Sequence, residues 1–538
     1  MYRRLKLGIL CLTLFLPPIA GCQRRPADDE TLPTVARVVS TIAPHGSATP
    51  APPAPTETLS KPTIPATIRP TATSLPTPTT AQPLLLAVPA QWELEALVAA
   101  AAVNSGPAWQ VVTAENPEQL LDGQQVQAAL IPGNSGYEAG SRPLALAVSF
   151  GNEWEDVTRA EAEEIQSNGH AIVEVLSWDE LLPAQRPLTI DGLHITDPDY
   201  PLRQAWTVEA MAHASQSAEQ LAGRLQHLAN PGDVKLIAVG DVMLDRALGA
   251  TVAAGDTGFP FAFVSELLHD GDFTVGNVES ALGDRGEPAA KSYAFRAPPL
   301  AARSLAEAGF DLVSLANNHA LDFGPQALMQ GIGLLRAEGI AVVGAGANQT
   351  EAYRAHIVDI NGIRFGFLGY VNVPVEGNAP FFDTALWTAG AQAPGLAWAE
   401  PDVVAANVRQ LRGEVDQVVV ILHSGYEYVP SPSPEQAASA RAAIDAGATL
   451  VIGHHAHILQ GVEFRGDGAI VYGLGNFAFN ITGTPETAIL NAWFDENGLR
   501  QLHFLPAIIQ SSGQPLPAGA AEATGIRRQI YSLSRSLN

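Results

Sequence analysis

Asp241, Glu279, Asn318, His319, His423, His454, His455 and His457 share one placement: each stands at or just past the end of a short apolar run. Val234–Gly240 leads into Asp241, Phe273–Gly276 into Asn277-Val278-Glu279, and Asp311–Ala316 into Asn317-Asn318-His319. Val418–Leu422 leads into His423, Ala448–Gly453 into His454-His455-Ala456-His457, and Ala469–Tyr472 into Gly473-Leu474-Gly475-Asn476-Phe477. The set offers carboxylates, an amide oxygen and imidazoles without sulfur, a donor mixture suited to Mn, Fe, Zn or Mg. A carboxylate bridging two such ions would hold them about 3.5–4 Å apart, the spacing that activates a water and clamps both oxygens of an in-line phosphoryl displacement. In His455-x-His457 the period-two alternation of a strand, or of the loop continuing it, turns both rings to one side. One histidine alone carries little; the conjunction at strand ends is what points to a metal centre. His45, His170, His194, His213, His227, His269, His356 and His503 have no such context and read as structural.

Apolar strands that each deliver a polar side chain at their end can gather a site along one edge of a rigid sheet. That arrangement occupies residues 231–510, about half of a 538-residue chain with room for two or three domains. Charged residues make up 16%, below the ~25% usual in soluble proteins, while Pro (41) and Gly (48) are abundant. Asp and Glu (55) outnumber Lys and Arg (30), and a net charge of −25 argues against nucleic acid as a partner, which needs clustered positive charge. Cys11 and Cys22 are the only cysteines, which excludes a disulfide framework, a zinc finger and a thiol nucleophile.

Residues 1–22 read as an export signal. Arg3, Arg4 and Lys6 precede an apolar Leu7–Ala20 that is broken by Pro17-Pro18 and is too short to span a bilayer. Ile19-Ala20-Gly21-Cys22 resembles a bacterial lipobox, which implies a lipidated Cys22 holding the protein on the outer face of the bacterial cell membrane. Residues 23–83 read as a stalk: positions 41–83 hold 11 Pro and 11 Thr and no aromatic residue, a composition that stays extended and builds no core.

Periodicity returns over 84–230. Strands are expected at Leu84–Val88, Gln127–Ile131 and Pro143–Val148, with helices at Trp92–Ala102, Thr158–Ser167 and Ala214–Leu228. Thr158 with Glu161 three residues on reads as a capping box. Pro143-Leu144-Ala145, the helix from Val157-Thr158 to Ile165, and Asp199-Tyr200-Pro201-Leu202-Arg203 resemble phosphate-type periplasmic solute-binding proteins. The segment is short for two lobes and reads as a degenerate, binding-protein-like α/β domain.

Over nearly all of 233–510 the resemblance is to the CapA (poly-γ-glutamate capsule synthesis protein) family. It is carried, in order, by Gly240-Asp241-Val242-Met243-Leu244-Asp245-Arg246, Gly276-Asn277-Val278-Glu279, Asn317-Asn318-His319-Ala320-Leu321-Asp322-Phe323-Gly324, His423-Ser424-Gly425-Tyr426-Glu427-Tyr428, Gly453-His454-His455-Ala456-His457 and Gly473-Leu474-Gly475-Asn476-Phe477. The resemblance implies an α/β (α+β four-layer) fold, a metallophosphoesterase-like β-sandwich flanked by helices, with the site at the strand ends. It implies one or two divalent ions, Mn, Fe or Zn, on Asp241, Glu279, Asn318, His423, His455 and His457, with His319 as general acid. By the same likeness Arg246, Asn277, Lys291, Arg296, Glu427, Tyr428, His454 and Asn476 would meet an anionic substrate or line its pocket. Partners implied are an anionic polymer or the proteins of capsule synthesis.

Three positions depart from the pattern. Met243 replaces the histidine of the Asp-x-His common in metallophosphoesterases, Ser424 replaces an aromatic residue and Ala456 a proline. Two other readings stay open beside the hydrolase: a non-catalytic accessory or scaffold, and a small-anion sensor in 84–230. Gly344-Ala345-Gly346-Ala347-Asn348 lacks a phosphate-loop lysine and reads as a turn, while Pro430–Pro434 reads as a rim loop. The tail 511–538, with Arg527, Arg528 and Arg535, is expected to pack back as a capping helix.

Overall fold

The computed structural model describes residues 83–538 apart from 93–95, 97–98, 102, 104–107, 229–233, 377–381 and 481–482. The export signal, Cys22 and the stalk through residue 82 lie outside the described residues, as does part of the Trp92–Ala102 helix. No helix among the described residues is long and apolar enough to cross a membrane.

The first module is a mixed sheet with helices against it. Its elements are β1 (Leu84–Val88), β2 (Trp109–Thr113), β3 (Ala128–Pro132), β4 (Tyr137–Ser149), α1 (Arg159–Asn168), β5 (Glu174–Ser177), β6 (Arg203–Ala210) and α2 (Ser215–Leu228). The sheet runs β2-β1-β3-β6-β4-β5, parallel at β1 and its two neighbours and antiparallel beyond. Thr158 caps α1 in a full capping box with Glu161.

The second part continues with β7 (Val234–Met243), β8 (Phe273–Val278), β9 (Leu312–Ser314), α3 (Gly324–Ala337), β10 (Ala341–Val343), β11 (His356–Ile360), β12 (Ile363–Asn372) and α4 (Pro401–Arg412). It is completed by β13 (Gln417–Ser424), α5 (Pro434–Asp445), β14 (Leu450–His454), β15 (Val462–Arg465), β16 (Gly468–Val471), β17 (Asn476–Phe479), β18 (Glu486–Asp495), β19 (Gly498–Ile509), β20 (Pro515–Pro517) and α6 (Ala520–Ser534). One sheet runs β10-β9-β8-β7-β18-β19-β20, with β17 also on β7; the other runs β11-β12-β13-β14-β16-β15. Their facing sides share one core, in which Leu236, Ala238 and Val275 of the first sheet meet Phe365, Phe367, Val419 and Ile452 of the second. The outer side of the first sheet packs on α3 and neighbouring helices, through Ile332 and Leu335. The outer side of the second packs on α4 and α5, through Val408 and Ala443. The result is a four-layer α/β sandwich.

Strands β7 to β10 are mutually parallel, and so are β12, β13, β14 and β16. Strands buried on both faces read as near-continuous apolar runs, and in a parallel set their carboxyl ends meet at one edge. The tail joins this body, with β20 paired to β19 and α6 burying Ile526, Ile530 and Tyr531 against the shared core. Arg527 of α6 pairs with Glu155 of the first module at 2.9 Å, and Trp493 of β18 is part of that module's core.

Candidate metal centre

The edge where the parallel strands end holds the buried polar cluster. Asp241, Asn277, Glu279, Asn318, His319, His423, His454, His455, His457 and Asn476 all come together there and are buried. Glu279 belongs to two groups whose ligand atoms lie mutually within 4.8 Å: Glu279 with His423 and His455, and Glu279 with Asp241 and His457. His423 Nε2 lies 3.5 Å from Glu279 Oε1 and 2.8 Å from Asn318 Oδ1. A third group, Glu427 with His455 and His457, reaches the surface.

Below these ligand atoms a second set of side chains fixes their directions. Asn277 Nδ2 donates to Asp241 Oδ1 at 2.8 Å, and His454 Nδ1 lies 2.9 Å from the same oxygen. Asn317 Nδ2 donates to Asn277 Oδ1, and Asn476 Oδ1 lies 2.9 Å from His457 Nδ1. Outer partners of this kind orient ligands and sharpen their basicity. Asn277, His454 and Asn476 are buried and contact the candidate ligands Asp241 and His457 directly.

His455 and His457 are not on a strand. Strand β14 ends at His454, and both residues take left-handed backbone, with φ of 88° and 56°. Such conformations are costly for residues other than glycine and cluster at functional sites. The two rings reach the same cluster by this local twist, not by strand alternation.

Charge in the cluster is divided unevenly. Burial pushes Asp241 up, but His454, His457 and His423 outweigh it and hold the carboxyl well below its usual range. Burial lowers His423 far below an ordinary imidazole and, with His457 beside it, brings His455 to about 3. Burial opposes protonation of His457 as well, yet Glu279 and Asp241 raise it to about 10. Neutral imidazoles facing an ionised carboxylate are the state a divalent cation requires of its ligands, which His423 and His455 already meet, whereas a cation at His457 would have to displace its proton.

Whether the residues fit such an ion is tested by what they leave unpaired. His455 Nδ1 is fully buried and has no hydrogen-bond partner among the described residues, although buried polar atoms are nearly always satisfied. His455 belongs to the group formed with Glu279 and His423, a donor set that suits Mn, Fe or Zn. The residues fit.

His319 lies beside this group. Its Nδ1 is 2.7 Å from Asp322 Oδ2 and 3.4 Å from Lys291 Nζ; the shorter contact, to an oxygen that also accepts from the Phe295 amide, puts the proton on Nδ1. Burial pushes Asp322 up to about 7, against the pull of Lys291. Asp322 was not among the candidates read from strand ends; a carboxylate three residues beyond a histidine, in a turn opening α3, was the available signal.

The three cations expected at the mouth are placed differently from one another. Lys291 Nζ forms an ion pair with Asp322 Oδ1 at 2.7 Å, and its side chain is 1% exposed. The Arg296 guanidinium lies 3.5 Å over the Phe323 ring and donates to the Gly286 carbonyl. Arg246 is exposed, donates to the Asn480 carbonyl and lies over Phe295. Glu427 and Tyr428 are exposed, the Tyr428 ring 5.9 Å from that of His457. Ser433, in the rim loop, caps α5.

The profile of the family described as bacterial capsule synthesis protein PGA_cap matches residues 235–481. Capsule biosynthesis protein CapA of Bacillus anthracis is 33% identical over 303 residues, covering 54% of this chain and 71% of that protein. The chain belongs to the CapA family. PGA biosynthesis protein CapA of Bacillus subtilis (strain 168) is 28% identical over 298 residues, covering 54% of this chain and 76% of its own length. Among solved structures, an ABC-type phosphate transport receptor from Vibrio cholerae overlaps 27% of this chain and 94% of its own, at a TM-score of 0.21 and 10% identity. The CapA match covers the stretch from which every candidate ligand comes.

Proposed function

We propose that this CapA-family chain acts in capsule or poly-γ-glutamate biosynthesis at the outer face of the bacterial cell membrane, held there by lipid on Cys22. Its sandwich hydrolyses or transfers a phosphoester or γ-glutamyl substrate with the help of one or two divalent ions, Mn, Fe or Zn. The observation that carries this reading is Glu279, one buried carboxylate shared by two separate ligand groups. The names of the Bacillus relatives support the biosynthetic setting.

Asp241, Glu279, Asn318, His423, His455 and His457 would hold the ions, which when bound supply Lewis acidity and a water of lowered pKa. The chain's own contribution is positional and acid–base. Asn277 and His454 fix the Asp241 carboxylate, and Asn476 fixes His457. Asp322 accepts from His319 Nδ1, so that in the doubly protonated ring Nε2 is the nitrogen whose proton passes to a leaving oxygen, the ring returning to its neutral Nδ1–H form. Arg246 and Tyr428 are the side chains offered to an anionic polymer at the mouth.

A scaffold that binds the polymer or a capsule-synthesis complex without chemistry is the second reading. Met243, where the related hydrolases carry a histidine, favours it. Elemental analysis of the purified full chain separates the two. Near-stoichiometric Mn, Fe or Zn, lost in His455→Ala/His457→Ala, is the expected result and justifies screening phosphodiesters and γ-glutamyl peptides. No metal after reconstitution would leave the scaffold reading standing.

A further inference from the structure

Between the paired segments Ala281–Leu282 and Arg296–Ala297 the chain makes a strap that ends beside His319. Its start is held by the Gln330 side chain, at Asp284 and Arg285, and the part nearest His319 is fastened at Asp322. The Asp322 carbonyl accepts from the Ala289 amide at 2.7 Å, and Asp322 Oδ2 accepts from the Phe295 amide at 2.7 Å as well as from His319 Nδ1. Phe295 then lays its ring 4.3 Å from the His319 ring. With Oδ2 taken twice, Oδ1 faces Lys291.

Lys291 is placed where a lysine is costly. Its side chain and that of Asp322 are 1% and 0% exposed, and desolvating an ammonium is unfavourable unless it is paired. Trp387 and Phe382 stand 5.1 and 5.9 Å from the ammonium, close enough for cation–π attraction. Nζ also donates to the Asn318 carbonyl at 2.6 Å. One ammonium thus grips the backbone of a candidate ligand and the carboxylate that orients the candidate acid. A lysine serving only to attract an anion would gain nothing from such burial.

We propose that Lys291 is a positioning residue for His319: it pins Asp322 and the Asn318 backbone so that the imidazole keeps Nδ1–H on Asp322 and presents Nε2. The proposal rests on the hydrolase reading of the site and departs from a substrate-binding role for this lysine.

The test uses the full chain, wild type against Lys291→Met. Turnover of bis(p-nitrophenyl) phosphate with Mn is expected to fall about 100-fold in kcat with KM within about 2-fold. A raised KM at unchanged kcat would overturn the proposal and make Lys291 an anion receptor. A second readout needs neither metal nor activity: long-range proton–nitrogen spectra of histidine-labelled protein. There the His319 tautomer signal is expected to change in the variant while the other rings stay as they are. An unchanged His319 signal overturns the proposal. If the wild type itself has no turnover, the hydrolase reading fails and the tautomer signal alone judges Lys291. Lys291→Gln, which keeps a donor for the Asn318 carbonyl, is read in the same way should Lys291→Met not fold.

Discussion

His194 and His503 stack face to face across the seam between the first module and the sandwich, with centroids 4.1 Å apart and planes 3° from parallel. Trp493 stacks on both, and His194 Nδ1 lies 2.8 Å from Thr196 Oγ1. Burial lowers His194 to about 3, with Lys235 and Arg527 adding to the fall, and it lowers His503 as well, reinforced by His194.

The sign follows from which state takes up protons. Between pH ~6.5 and ~3 the unfolded His194 is protonated and the folded one is not, so stability rises with pH there. Its contribution, on the order of 5 kcal/mol, is complete above pH ~6.5 and is lost as pH falls toward 3. Thermal melting between pH 8 and 4 should therefore drop more steeply for wild type than for His194→Phe, which stacks without titrating. Parallel curves would show that His194 does not set the acid limit.

Gly240 should be required for metal retention although it ligates nothing. A Cβ there would overlap the Gly475 carbonyl oxygen, the same oxygen that accepts from the Asp241 amide at 3.0 Å. Gly240→Ala must push β7 away from this loop and turn the Asp241 carboxylate with it. We expect metal affinity to fall by at least about 10-fold, measured by equilibrium dialysis on the folded variant. An unchanged affinity would mean that Asp241 is not a ligand.

Ser433 should matter for stability alone. It is buried and accepts from the Gln436 amide at 3.1 Å, while the Gln436 side chain closes the capping box. Ser433→Ala is expected to cost ~1 kcal/mol in denaturant unfolding, with metal content unchanged. Loss of metal in that variant would place the rim loop in the site.

Met243 offers a gain-of-ligand test. It follows Asp241 by two positions on β7 and is fully buried. The group of Asp241, Glu279 and His457 is a ligand short of the four usual for a closed site. Met243→His should raise the bound metal toward two ions per chain and tighten the weaker class in a titration. A single class of unaltered affinity would argue that only the group around His423 and His455 is used.

Much of this centre can be read from residue order, because buried parallel strands announce themselves as apolar runs and their carboxyl ends must share an edge. Asp241, Asn277, His423 and His454 can be placed that way, and the strands end within a few residues of where the pattern predicts. What apolar runs do not encode is pairing between distant segments. Nothing local to Val234–Met243 says that β18 lies antiparallel on one side of it and β8 parallel on the other. Strands β12, β18 and β19 deliver no ligand at their ends and so carry no such signal, although Asn497-Gly498 marks the turn of the β18–β19 hairpin. The twist of His455 and His457 is also invisible beforehand, since left-handed backbone at a histidine is imposed by the surrounding fold. Asp322 and Lys291 form a pair through a turn and a strap, where no periodicity operates.

The Asp241 carboxylate accepts from the His455 amide at 3.1 Å across 214 positions of chain, and β7 cannot meet β17 until nearly the whole sandwich exists. Contacts of such sequence separation form late and slowly, after loop closure has been overcome. A cation bound there would therefore act as a certificate of assembly. Only a chain whose two sheets have already closed on each other can capture it, and capture then withdraws that chain from the pool still able to open. The supply of metal while the chain folds would then set how much of the protein persists.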